Sequence, residues 1–277
     1  MTETGTNVRP GQPLAVVVGA GGLSMAIARR LGDVHRLLIC DLDAALVERS
    51  ASALRAEGHD ACAQVCDVTD EVSVRALAGA AAELGQVKTL LHVVGLSPSM
   101  ADAATILRVN LLGAALVADA FFDLAFPGSV AVFIASLAGH TAADVPPEVI
   151  ADLDAPLAPD LQGRMERGLE GGLTAGSAYS LSKLGVIRMC HRHALPWGRR
   201  GARILSVSPG LINSPQGAGG YAAHPEKIQL VERTPLAREG TMIEIADAVE
   251  FLVSDRASFI SGIDLLVDGG LAAASGR

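Results

Sequence analysis

Aromatic residues are scarce in this chain: one Trp, two Tyr and six Phe make up 3% of its 277 positions. A stacking platform for single-stranded nucleic acid needs more rings than that. Positive charge is also in short supply, with 22 Lys and Arg against 30 Asp and Glu and a net charge of −8. Such a surface attracts neither a nucleic-acid backbone nor an anionic membrane. Only four cysteines occur, Cys40, Cys62, Cys66 and Cys190. They are too few for a disulfide scaffold and sit in apolar surroundings, so they read as reduced thiols of a cytoplasmic protein. Cys62 and Cys66 lack a second Cys or His pair at zinc-ligand spacing, so no metal is expected. The uncharged stretch 10–28 ends in Ala26-Ile27-Ala28 like a signal-peptidase site, but Gly19, Gly21 and Gly22 break it. It makes a poor targeting or membrane helix.

What the chain has in quantity is apolar side chains, half of all residues, together with 30 Gly. That suffices for a sizeable core. Short β-type runs at 14–19, 36–40, 61–66, 89–95, 129–135, 202–207 and 264–267 alternate with Ala/Leu-rich segments of helical length. The helical segments fall at 23–31, 43–57, 70–84, 101–125, 177–197 and 241–254, several behind an Asp, Ser or Thr in capping position. This alternation predicts parallel βαβ units. Runs such as Val130-Ala131-Val132-Phe133-Ile134 are apolar throughout, which predicts helices on both faces of the sheet. The expected architecture is α/β: a single Rossmann-like domain over 13–277 with a doubly wound parallel sheet of seven strands, behind a disordered tail at 1–12. Its ligand crevice would lie beyond the carboxyl ends of the strands. Two long segments, 140–176 and 211–240, leave strand ends and should border that crevice, the second as a substrate loop.

Gly19-Ala20-Gly21-Gly22-Leu23-Ser24 follows the first strand and opens a helix. Glycines at 19, 21 and 22, with Leu23, suit a tight turn whose backbone approaches a pyrophosphate at a helix N-terminus. Ser24 stands where the Gly-x-Gly-x-x-Gly pattern has its third glycine, and its hydroxyl could cap the helix or reach a phosphate. Asp41 ends the second strand, 22 positions after Gly19, where an acid accepts adenosine ribose hydroxyls. With no Arg directly after it, Asp41 favours NAD over NADP, although a helix cap is an alternative reading. Tyr179-Ser180-Leu181-Ser182-Lys183 sets a phenol and an ammonium on one helix face. With two Tyr and three Lys in the chain, chance would produce this pair in about one such sequence in fifty. A phenol is too weak an acid to serve as a base at neutral pH, and a neighbouring ammonium favours the phenolate.

These motifs resemble the short-chain dehydrogenase/reductase family, of the single-domain type, over essentially the whole chain. The resemblance implies that Tyr179, Lys183, Ser136 after the fifth strand and Asn110 on the preceding helix form a catalytic tetrad. It further implies that Asp67 and Val68 contact adenine and that Gly95, Pro209, Gly210, Ile212 and Ser214 line the nicotinamide side, with Lys183 on the ribose. Asn110 would hold a proton-relay water. The ending Val267-Asp268-Gly269-Gly270 resembles one that builds a homotetramer or dimer. The family's Asn-Asn-Ala-Gly is replaced by His92-Val93-Val94-Gly95, and His92 reads as a buried, hydrogen-bonded histidine rather than a catalyst. Ser136 and Tyr179 lie 43 positions apart, so 140–176 reads as an insertion of small helices, either a substrate lid or an oligomer contact. The implied activity is NAD-dependent interconversion of a secondary alcohol and a ketone, with an apolar small molecule such as a steroid, terpenoid or lipid alcohol as substrate. An NADP-dependent ketoacyl or carbonyl reductase and a non-catalytic NAD-sensing protein are the alternatives.

Overall fold

A computed structural model describes residues 11–142, 144–213 and 225–276. Its strands are β1 (Leu14–Val18), β2 (Arg36–Asp41), β3 (Ala61–Val65), β4 (Val87–His92), β5 (Val130–Ile134), β6 (Arg203–Pro209), β7 (Ile212–Asn213), β8 (Gly240–Thr241) and β9 (Asp264–Val267). Seven of them form one parallel sheet in the order β3-β2-β1-β4-β5-β6-β9, while β7 and β8 pair separately. The order reverses between β1 and β4, and a crevice at such a switch point is where open α/β sheets bind ligands. All seven predicted strands are therefore present. Residues 1–10 of the expected tail lie outside the described residues, as does 214–224 of the segment 211–240.

Neighbouring residues of one strand feed opposite cores, which is why the strands are apolar throughout. Val16 and Val18 of β1 join a cluster with α3 (Glu71–Leu84), α5 (Gly113–Phe122) and α9 (Ala175–Arg199). Ala15 and Val17 join the other cluster, with α1 (Gly22–Leu31), α2 (Ala44–Ala56) and α11 (Met242–Val253). α4 (Ala103–Leu107) runs through a π-helical stretch, Arg108–Leu112, into α5. The remaining short helices are α6 (Leu137–Thr141), α7 (Pro147–Leu153), α8 (Leu161–Gly168), α10 (Pro225–Arg233) and α12 (Leu271–Ala274).

Side-chain caps set several helix starts. Asp43, not Asp41, caps α2 by accepting from Ala45 N and Leu46 N, so the capping alternative for Asp41 falls away. Thr174 and Ser177 form a capping box, which starts α9 two residues before the sequence reading placed it. At the end of β4, Val93 N and Val94 N both donate to the Val18 carbonyl. The chain turns away there, and Val93–Gly95 leave the ladder that the sequence reading extended to 95.

The segment 140–176 folds into small helices, as expected, and builds a third core. Val149 and Leu153 of α7 and Leu161 and Met165 of α8 pack with Ile106, Leu107 and Leu111 and with Ala178 and Leu181 of α9. Arg188 of α9 clasps the Asp154 carboxylate with two bonds, 2.8 and 2.7 Å. Bidentate pairs of this kind fix orientation as well as distance.

α6 lies directly on α9. A Cβ added to Gly139 would come within 2.9 Å of Leu184 N, Lys183 C and Ile187 Cδ1. Two of those atoms are backbone and cannot give way. Gly139→Ala is therefore expected to cost about 1–3 kcal/mol in urea denaturation. Wild-type stability in that variant would contradict the close approach.

Candidate active site

A crevice of about 290 Å³ opens beyond the carboxyl ends of the central strands. It gathers the predicted residues Gly22, Leu23, Gly95, Ser136, Tyr179, Lys183, Pro209, Gly210 and Ile212 along its walls. Asn110 stands behind it. Gly19 and Gly21 lie in the turn after β1, Asp41 at the end of β2, and Asp67 and Val68 after β3. Ser214 lies outside the described residues.

Lys183 reaches into the crevice from α9, four residues after Tyr179. Its Nζ donates to the carbonyl of Ile134, the last residue of β5, at 2.9 Å and lies 5.9 Å from the Tyr179 ring centroid. Burial alone pulls this ammonium down to about 8. Gly95 makes room for it, since a Cβ there would meet Nζ at 3.0 Å. Burial holds the Tyr179 phenol above its ordinary value and outweighs the Ser136 hydroxyl beside it, which favours the phenolate. The expected lowering by Lys183 is not what governs Tyr179, because the loss of hydration on burial is the larger effect. Ser136 itself caps α6, its Oγ accepting from Ala138 N at 3.2 Å.

Asn110 makes three hydrogen bonds within the protein. Its Oδ1 accepts from Leu96 N at 2.7 Å, and its Nδ2 donates to Leu96 O at 3.0 Å and to Ser182 Oγ at 3.3 Å. The side chain thus anchors the backbone after β4. Ser182, which the sequence reading passed over, donates its hydroxyl hydrogen bond to the Tyr179 carbonyl at 2.8 Å. Its place three residues after Tyr179 on the same helix was the available signal. Met242 was also missed; its Sδ lies 3.1 Å from where a Cβ of Gly22 would be.

On the turn, Gly19 has φ +112°, a left-handed value that suits glycine. Nothing lies within 4 Å of a Cβ built on Gly21, so this backbone faces open space. Gly21 caps α1 without a side-chain bond, and Ser24 is buried one turn in, so its hydroxyl does not cap the helix. Asp41 Oδ2 accepts from Ala20 N at 2.8 Å, tying the turn to β2. Asp67 Oδ1 accepts from Thr69 N and Oγ1, both at 2.8 Å.

His92 is buried as expected, stacked on Phe133 at 5.4 Å, but its Nε2 finds no hydrogen-bond partner. The apolar sheet face that receives it offers none. Burial first, and the Lys183 charge second, push its imidazole down to about 3. It stays neutral at ordinary pH.

Two family models match the chain: one described as short chain dehydrogenase over residues 13–146, the other as enoyl-(acyl carrier protein) reductase over residues 167–272. The short-chain dehydrogenase/reductase bsc3 of Alternaria brassicicola is 37% identical over 262 residues, 94% of this chain and 95% of that protein. Cis-4-hydroxycyclohexanecarboxylate dehydrogenase of Sinomonas cyclohexanicum is 31% identical over 94% of this chain and 96% of its own. Among solved structures, that of gox2181 superposes with a TM-score of 0.76 at 25% identity, covering 96% of this chain and 97% of the other.

The buried ammonium makes stability depend on pH. Below about pH 8 both folded and unfolded chains keep the Lys183 proton, and its burial destabilises the fold fully. Between pH 8 and the ordinary value of 10.5 the folded chain releases the proton first, so its stability rises with pH. Relative to Lys183→Met, wild type should gain on the order of 3 kcal/mol across that window in urea denaturation. A difference that stays constant with pH would contradict the burial of a charged Lys183.

Proposed function

The chain belongs to the short-chain dehydrogenase/reductase family, and from that premise we propose that it interconverts a secondary alcohol and a ketone with NAD as hydride carrier. The observation that carries this reading is the meeting of Tyr179, Ser136 and the buried Lys183 in one crevice. The residues present fit a nicotinamide dinucleotide: the turn at Gly21 is open, Gly95 leaves space beside Lys183, and the crevice joins both to Tyr179. When bound, the dinucleotide supplies the hydride acceptor or donor.

The protein's own part is acid–base work and orientation. Ionised to the phenolate, Tyr179 takes the hydroxyl proton in oxidation and becomes the phenol; in reduction the phenol gives that proton to the carbonyl oxygen. Ser136 donates to the same substrate oxygen, holding it against the phenol. Lys183 and the dinucleotide ribose are natural partners, and its charge stands ready to favour the phenolate once Tyr179 ionises. Asn110, through Leu96, keeps the crevice rim after β4 in place. Asp41 and Asp67 are the acids for the adenosine end. Leu42 follows Asp41, so no cation there offsets the two negative charges of a 2′-phosphate. This supports NAD over NADP.

Away from the glycine turn the crevice walls are apolar at Leu96 and Met100, and Lys183 is the one charged residue among the described lining. That supports an uncharged, apolar alcohol of the steroid, terpenoid or lipid kind. The relative named for cis-4-hydroxycyclohexanecarboxylate acts on a ring alcohol, which supports the same reaction class. We read 140–176 as an insertion that buttresses α4 and α9, since none of its described residues lines the crevice. The fully exposed Phe259, with Leu195 and Ile263 exposed nearby, supports a homo-oligomer.

Tyr179→Phe is expected to lower NADH production from a panel of hydroxysteroids, terpenols and short secondary alcohols by at least about 10²-fold. Dinucleotide affinity should change by less than about twofold, as read by calorimetry. Retained turnover would remove Tyr179 from its role. Asp41→Ser should shift the NADP-to-NAD ratio of kcat/KM by about tenfold or more towards NADP. An unchanged ratio would mean that another residue reads the ribose.

A further inference from the structure

Asp264 opens β9 with its side chain only 4% exposed, and no Lys or Arg pairs with it among the described residues. Three side chains donate to it instead. Ser206 Oγ reaches Oδ1 at 2.5 Å, Ser208 Oγ reaches the same oxygen at 3.0 Å, and His140 Nε2 reaches Oδ2 at 2.7 Å. A carboxylate only accepts, so Nε2 of His140 carries a proton here. Ser206 stands opposite Asp264 in the β6–β9 ladder, and Ser208 follows on the same face. The Cys190 thiol of α9 lies beside this cluster, and burial first, with the Asp264 charge second, holds it well above its ordinary value. A sheet needs no such cluster: on the neighbouring strand β5 the apolar Phe133 stands opposite Ser206. Buried polar groups cost free energy unless every partner is present, and a satisfied network holds its members in one arrangement.

What this network holds is α6. The helix has five residues, too few to be stable alone, and Ser136 is its cap. One anchor is Gly139 against the backbone of Lys183 and Leu184. The other is His140, one turn after Ser136, bound to Asp264 from the far side. Both contacts lie in the helix that Ser136 caps. Ser208, on the same carboxylate, directly precedes the Pro209–Gly210 turn of the crevice.

We propose that His140 and Asp264 are positioning residues for the reaction: their hydrogen bond fixes α6 and so aims Ser136 Oγ at the substrate oxygen. This rests on the reading of Ser136 given above. Neither residue touches the reacting atoms, and the effect should appear in kcat rather than in dinucleotide binding.

The test compares His140→Leu, which removes the donor, with His140→Gln, whose amide N–H can still reach Asp264, each alone and with Ser136→Ala. Rates are measured with NAD and cyclohexanol as probe alcohol, and hydrogen exchange is followed over residues 134–142. His140→Leu should lower kcat about tenfold with the dinucleotide KM within about twofold, and His140→Gln should recover most of that loss. In the Ser136→Ala background, His140→Leu should add less than about twofold, because both substitutions remove one function. Amides of α6 should exchange at least about tenfold faster in His140→Leu than in wild type or His140→Gln. Fully multiplicative losses, or unchanged exchange in α6, would overturn the proposal. If Ser136→Ala alone leaves kcat at the wild-type level, the role of Ser136 fails instead, and the exchange data still decide whether His140 holds α6.

Discussion

The hydrogen bond from the Lys183 ammonium to the Ile134 carbonyl is the interaction on which the site depends. A cation buried to this degree is costly in an apolar crevice, and burial lowers it to about 8. It persists because several elements are arranged around it. The end of β5 supplies the acceptor, Gly95 withholds a side chain, and α9 carries the lysine. Tyr179, one turn earlier on that helix, is delivered to the crevice by the same placement.

The parts around this bond are fixed by contacts between elements distant in sequence. Asn110, in a π-helical stretch, pins Leu96 after β4 and touches Ser182 of α9. α6 is wedged between α9 and β9. The third core, built by α7 and α8 on α4 and the first turns of α9, braces the helix that carries Tyr179 and Lys183. The charged clasp of Arg188 on Asp154 closes that brace at its outer end.

The sheet and its two covering layers were legible because their causes are local: apolar runs of strand length, helices of amphipathic length, and polar caps before them. Tyr179, Lys183 and the turn at Gly19 could be named from spacing and Ser136 from the family resemblance, and the crevice does gather Tyr179, Lys183 and Ser136. What sequence could not give was the effect of burial. Proximity of Lys183 suggested a lowered phenol, whereas desolvation holds Tyr179 high. His92 was expected to find a partner, and its Nε2 has none because Phe133 and its apolar neighbours close over it. The His140–Asp264 bond joins residues 124 positions apart, a separation that no motif spans. The same holds for Met242, which reaches the glycine turn only because α11 packs on α1.

The central claim is that this crevice transfers hydride between an alcohol carbon and a nicotinamide. Its most direct test is to incubate the protein with NAD and secondary alcohols deuterated at the carbinol carbon, then examine the recovered dinucleotide by NMR. The account predicts deuterium on one face of nicotinamide C4, lost when Tyr179 is replaced by Phe. A dinucleotide that binds but is recovered unlabelled and oxidised with every alcohol tried would contradict it.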